Sequence, residues 1–170
     1  MPSALKLDTI KSLAGNEAMT IDESGVPLLK VPAFYAYRNG TQSITSSTST
    51  VVQLNTEMYD TKGWFDTSTY RFTPQIAGYY QFNWCIYIRG SSGATRGLCT
   101  LQKSNGDAFR GAYLPAFNGT EWCASGGALV YMNGTTEYVE LMAYLTATSP
   151  VIQGTLSGDT YLCGFLTRGA

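Results

Sequence analysis

Apolar and polar positions alternate with a repeat of two through most of the chain beyond residue 33, and no stretch carries the repeat of a helix. Each alternating stretch is short and closes on Gly, Pro, Asn or a Ser/Thr cluster, the punctuation of strands and turns. Phe34-Tyr-Ala-Tyr-Arg38 is predicted as a strand ended by Asn39-Gly40. The Ser/Thr stretch from Thr41 to Thr50 lacks Pro and is rich in β-branched residues, which predicts an edge strand or extended loop leading to Val51-Val-Gln-Leu54. Tyr70-Arg-Phe72 precedes a turn at Pro74, and the clearest strand follows, Tyr79 to Ile88. Tyr80, Phe82, Trp84, Ile86 and Ile88 share one of its faces; Tyr79, Gln81, Asn83, Cys85 and Tyr87 share the other. One oily face and one aromatic-polar face suit a sheet that covers its own core on one side and a partner chain on the other. Asn105-Gly106 and Asn133-Gly134 favour type I′ turns. They predict a hairpin joining 98–103 to 108–114 and a second joining 128–132 to 137–145. A last strand closes the chain at Tyr161-Leu-Cys-Gly-Phe-Leu-Thr167. About eight to ten strands without a helix predict an all-β sandwich or jelly roll.

Residues 1–31 differ from the remainder. Leu5 to Lys11 and Ala18 to Asp22 alternate, with turns at Ala14-Gly-Asn16 and Glu23-Ser-Gly25, and then Val26 to Pro32 follows. The segment has too few large apolar groups for a core of its own. It reads as a β-rich leader ordered against other chains, or as a terminal tail. The division is therefore residues 1–31 as leader and attachment segment, and 32–170 as the principal domain.

Composition narrows the function. Aromatics make up 13% of residues and charged groups 14%, well below the roughly 25% charge of ordinary soluble chains. Thinned charge and enriched aromatics suit sheets and protein interfaces. A net charge of −1 with no Lys/Arg cluster gives no electrostatic footprint for nucleic acid. No apolar run reaches the roughly 18 residues of a membrane span, and the N-terminus lacks a signal-peptide pattern. An internally made protein without membrane insertion is expected. Cys85, Cys99, Cys123 and Cys163 show no C-x-x-C spacing and are expected as reduced thiols rather than disulfides.

Catalytic chemistry finds little purchase. The chain has no histidine, which excludes Ser-His-Asp and Cys-His catalysis and His-containing metal sites. Asp60 with Asp66, or Glu121 with another acid, are the carboxylates on offer for glycoside cleavage, but no spacing selects them. The glycine-rich Gly90 to Gly97 lacks the lysine and following helix of a phosphate loop. The sequons at Asn39, Asn118 and Asn133 are explained by Asn-Gly turns. No enzyme, cofactor or metal is expected.

The order of landmarks carries a resemblance. Leu54-Asn55, Tyr59-Asp60, Phe72, Gly78-x-Tyr80-x-Phe82, Ser125-Gly126-Gly127, Asn133-Gly134 before Val139-x-Leu141, and the closing Gly164-Phe165-Leu166 resemble the C1q globular head, a tumour-necrosis-factor-like jelly roll. Tyr70 stands where that family usually has a glycine, and Glu140 where a Trp is common. The leader, with Leu7-Asp-Thr-Ile-Lys11, Gly15, Ala18-Met-Thr-Ile-Asp22 and Gly25-Val26, is similar to the module that precedes the C-terminal head of many phage tail fibres.

The resemblance implies a homotrimer with both termini of the head at its base. Four loops, 38–41, 89–96, 115–121 and 146–159, would then lie at the distal end. A glycan or protein on a host surface would meet Arg89 and Arg96 through acidic groups, Phe117 and Trp122 by stacking, and Asn118 and Glu121 through hydroxyls. Trp122 has a second reading, as a core residue at the start of the next strand; Arg89 and Arg96 also read as solvated charges. Tyr79, Tyr87, Tyr131 and Phe165 are the expected trimer-interface residues. Some relatives bind calcium near the trimer axis, but this chain has no Asp-x-Asp cluster to support it. The function implied is a trimeric receptor-binding head on a virion, as a tail fibre or capsid surface appendage, docked to another virion protein through residues 1–31. The rivals are a capsid decoration or head-fibre protein without a receptor, and a cellular C1q-like lectin.

Overall fold

The computed structural model describes residues 8–15, 17–90, 92–115 and 121–170, and among these every regular element is a strand. The chain divides into two units, Met1–Pro32 and Ala33–Ala170.

The first unit is an antiparallel meander of β1 (Thr9–Lys11), β2 (Glu17–Ile21) and β3 (Pro27–Leu29). Its turns use Gly15 and Gly25, at φ 82° and 81°. The second turn is closed by Asp22, whose carboxylate accepts from the amides of Ser24 and Val26. Glu17 pairs with both Lys11 and Lys30, and these lysines hold its carboxyl below the usual range. Of its described residues only Pro32, at the junction, is buried, and Leu13, Val26, Leu28 and Leu29 stand in solvent. Hydrogen bonds set this sheet's shape, since it encloses no core.

Among its described residues the second unit holds thirteen strands, four of them only two residues long. One layer contains β4 (Ala33–Tyr37), β7 (Thr56–Asp60), β10 (Gly78–Arg89), β13 (Glu121–Met132) and β16 (Tyr161–Gly169) in the order β13-β10-β16-β4-β7. β15 (Val151–Gln153) continues along β10 beyond β16, with β5 (Gln42–Ser43) outside it. The other layer runs β12 (Ala108–Leu114), β11 (Ser92–Lys103), β14 (Val139–Thr148), β9 (Arg71–Phe72), β8 (Phe65–Asp66), with β6 (Thr50–Val51) also on β14. This is a jelly roll, a double-layered antiparallel sandwich whose inner faces alternate with outer ones.

The period-two pattern sets those faces. Tyr80, Phe82, Trp84, Ile86 and Ile88 are all 0–1% exposed and lie between the layers. Phe34 and Phe72 stack at 4.0 Å, and Phe72 meets Tyr80 and Phe82 edge-on. At Gly126 the packing is so close that a Cβ would lie 2.4 Å from the Trp84 ring.

Both Asn-Gly connections depart from the type I′ expectation. The first does form the predicted hairpin, β11 to β12. Its turn has Gly106 at φ 98° and no positive φ at Asn105, with the Gly106 amide donating to the Lys103 carbonyl. That is a type I turn followed by a left-handed glycine, the three-residue solution. The second is not a hairpin: β13 pairs with β10 and β14 with β11, in different layers. Asn133 Oδ1 accepts from the amides of Thr135, Thr136 and Glu137, so this asparagine caps a corner that carries the chain across the core. The expected Ser/Thr edge segment is present as β5 and β6, two short bridges flanking a loop.

Candidate functional site

Two surfaces follow from the registers: a face and an end. The face is the outer side of the layer built on β10. Register sets Tyr79 opposite Tyr131, Gln81 opposite Leu129 and Phe165, Asn83 opposite Cys163, and Tyr87 opposite Cys123. β4 extends it, with Tyr35 opposite Cys163 and Tyr59. From Tyr79 to Tyr87, from Cys123 to Tyr131, and from Tyr161 to Phe165, the alternate positions that make this face contain no charged residue. Tyr79 and Tyr131 meet edge to face at 5.5 Å, and Tyr35 stacks on Tyr161 at 5.1 Å. Burial pushes the Tyr35 phenol up to about 12, and Tyr161 moves in the same direction for the same cause.

Of the expected interface residues, Tyr79, Tyr131 and Phe165 are each 42–43% exposed and lie together toward one end of the strands. Tyr87 is on the same face, half-buried at the opposite end, where its hydrogen bond to Glu121 raises its pKa. Leu129, Met58 and Tyr59 stand in solvent on the same layer and were missed by sequence reasoning. The period-two alternation Trp122, Ala124, Gly126, Ala128, Val130 would have placed Leu129 outward.

The end is formed by loops. Arg89 pairs with both Glu121 and Val151 across the sheet, and Ser92 with Thr148. The Gly40 amide donates to the Gly154 carbonyl. Segments 38–41, 89–96, 146–159 and the start of β13 therefore meet at one end. The first and last strands of the unit begin and finish at the other, where Ala33 opposes Phe165 and Gly78 opposes Gly169.

Arg89 and Glu121 form an ion pair at 2.9 Å, about half-exposed on both sides. Arg96 is exposed and lies over the Tyr144 ring at 5.3 Å. Trp122 is not a surface stacking group: it is 7% exposed and its ring covers Gly97, where a Cβ would come within 2.7 Å. Position 122 faces inward in β13, so the core reading of this residue is the correct one. Phe117 and Asn118 lie outside the described residues. Leu156, 67% exposed on the 154–160 loop, is an apolar group at this end that the sequence did not single out.

The remaining acids have structural duties. Asp60 accepts from the amides of Lys62, Gly63 and Phe65, closing the turn after β7. Asp66 accepts from the Ser68 amide and hydroxyl and from the Thr69 hydroxyl, which pull its pKa down to about 2. Among the described residues no group of three Cys, Asp or Glu is arranged to hold a metal. Among the described residues no helix is long and apolar enough to cross a membrane.

A family profile described as the C1q domain matches residues 33–167. This chain belongs to the C1q domain family. Its fold is shared with solved structures at low identity. The globular domain of zebrafish complement 1qA aligns at TM-score 0.63 and 18% identity, covering 83% of this chain and all of that one. Murine APRIL aligns at TM-score 0.58 and 8% identity over 81% and 99%, and Eiger TNF from S. frugiperda at 0.52 and 11% over 82% and 94%. None of the curated proteins matches. The head is thus a C1q/TNF-like jelly roll. Domains of this type form homotrimers and are typically binding domains without enzymatic activity.

Proposed function

We propose that this C1q-domain chain assembles as a homotrimer through the charge-free aromatic face and serves as the receptor-binding head of a virion fibre or surface appendage. The observation that carries the assembly is that face. It is rich in Tyr, Phe and Leu and contains no charged residue over most of β10, β13 and β16, the composition of an interface core. Tyr79, Tyr131, Phe165 and Tyr87 are its contact groups, joined by Leu129. The strand ends at the loop end then present three copies of Arg89, Arg96 and Glu121 to a host-surface glycan or protein, a placement suited to recognition because rigid strands hold these side chains. No cofactor and no catalytic step enter.

The virion assignment rests on the leader. Its three strands leave Leu13, Val26, Leu28 and Leu29 uncovered, a surface suited to docking on another virion protein. The test is the molar mass of the full chain by light scattering, followed by immunogold labelling of virions. A trimer that labels tail tips supports the reading. A trimer on the capsid without binding to host cells favours a decoration protein, and a stable monomer overturns the assembly. A cellular C1q-like lectin is the second reading, favoured by the apposed thiols of Cys85 and Cys123; secretion of the native protein with paired cysteines would select it.

A further inference from the structure

Cys85 lies on β10 and Cys123 on β13, and the register pairs Cys85 with Ser125 and Tyr87 with Cys123. The two cysteines are therefore diagonal neighbours on one face of an antiparallel pair. Their Sγ atoms are 2.8 Å apart, roughly 0.8 Å longer than a disulfide bond. They differ in access: Cys85 is 7% exposed, whereas Cys123 is open to solvent. The other two thiols are placed differently. Cys99 is fully buried, with its Sγ toward the Ala112 carbonyl, and Cys163 lies opposite Asn83 and Tyr35.

We propose that Cys85 and Cys123 are a disulfide site, closed by thiol–disulfide exchange and reopened by a reducing thiol. The two thiols lie on the aromatic face assigned to assembly. Exchange at Cys123 therefore takes place on the unassembled chain, which the refolding arm below supplies; the site does not rest on the virion reading. The oxidant is a small disulfide such as oxidised glutathione. The exposed Cys123 thiolate attacks one sulfur of the oxidant, releasing one small thiolate and leaving a mixed disulfide on Cys123. Cys85 then gives up its proton and attacks Cys123 Sγ, expelling the second thiolate. Two protein thiols lose two hydrogens, one Sγ–Sγ bond forms, and the oxidant becomes two thiols.

Burial raises the Cys85 thiol, so the second step is the slower one and quickens with pH. The same cause favours persistence of the bond. A reductant attacking the accessible Cys123 sulfur must expel Cys85, a poor leaving group. The bond spans the second to fourth residue pairs inward from Arg89–Glu121 and would hold the β10–β13 strand ends where salt screens that ion pair.

The experiment uses the full chain, both as folded protein and during refolding, equilibrated with oxidised and reduced glutathione. Remaining thiols are alkylated under denaturing conditions, then intact mass and non-reducing tryptic maps are read. Arg89, Arg96, Lys103 and Arg110 separate Cys85 from Cys123 in the digest. The expected result is loss of two hydrogens, two alkylated thiols out of four, and a linked peptide pair. That pair should vanish in Cys123→Ser, a substitution at an exposed site, and persist in Cys163→Ser. Four alkylated thiols in both arms overturn the proposal. So does a linked pair that survives Cys123→Ser, or a bond between chains.

Discussion

Tyr70 adopts φ 63° in the turn before β9, its amide donating to the Asp66 carbonyl. A left-handed backbone costs an L-residue about 1–2 kcal/mol, and it explains why the family pattern has glycine there. Tyr70→Gly is expected to raise stability by about 0.5–1 kcal/mol, because relief of that strain exceeds the added freedom of the unfolded chain; urea denaturation reads it. A second residue-scale outcome concerns alkali. Burial raises the Tyr35 and Tyr80 phenols from 10.0 to about 12, and raises the Cys85 thiol above its ordinary 9.0. Above pH 9 the unfolded chain therefore loses protons that the folded chain retains. Stability is present in full below that pH and falls as pH rises toward 12. Urea midpoints from pH 8 to 11 under reducing conditions should decline, with a shallower decline in Tyr35→Phe.

At the scale of elements, β10 is where pattern and structure agree most closely. Every second side chain is buried, because in a strand the period of the sequence is the period of the faces. The close approach of β13 was carried by Ser125-Gly126-Gly127 in the sequence, but its reason is tertiary: Trp84 fills the space a Cβ at 126 would need. Gly126→Ala should cost about 1–3 kcal/mol through displacement of that ring, measured by thermal and urea unfolding. Asn133-Gly134 shows the opposite case. The dipeptide marks a reversal of the chain, yet whether the return strand joins the same layer or the facing one depends on which oily faces can be covered. Val139, Leu141, Ala143 and Leu145 are buried in the second layer, and this packing turned an expected hairpin into a corner.

For the whole molecule, the charge-free face and the loop end are the two surfaces on which the proposed function rests. A carboxylate placed at the centre of an apolar interface would be desolvated without a partner. Leu129→Asp, at an exposed position of the face, is therefore expected to leave the fold intact by circular dichroism while shifting the scattering mass from trimer to monomer. An unchanged trimer would move the interface elsewhere. The loop end was legible only in part. Arg89, Arg96 and Glu121 do reach the surface, but Arg89 and Glu121 face each other, and Trp122 turned inward.

Alternation, turn residues and the order of landmarks were sufficient by themselves for an all-β jelly roll and the inward face of β10. These are local properties, since side-chain direction in a strand and the backbone demands of a turn depend on neighbours along the chain. Tertiary structure alone decided which layer each strand joins, that Trp122 is core and that Cys85 and Cys123 meet. It also decided that Asp60 and Asp66 are occupied by turn amides and hydroxyls. Each of these depends on groups brought together across the sandwich or around a turn, and their positions are set by packing rather than by separation in sequence.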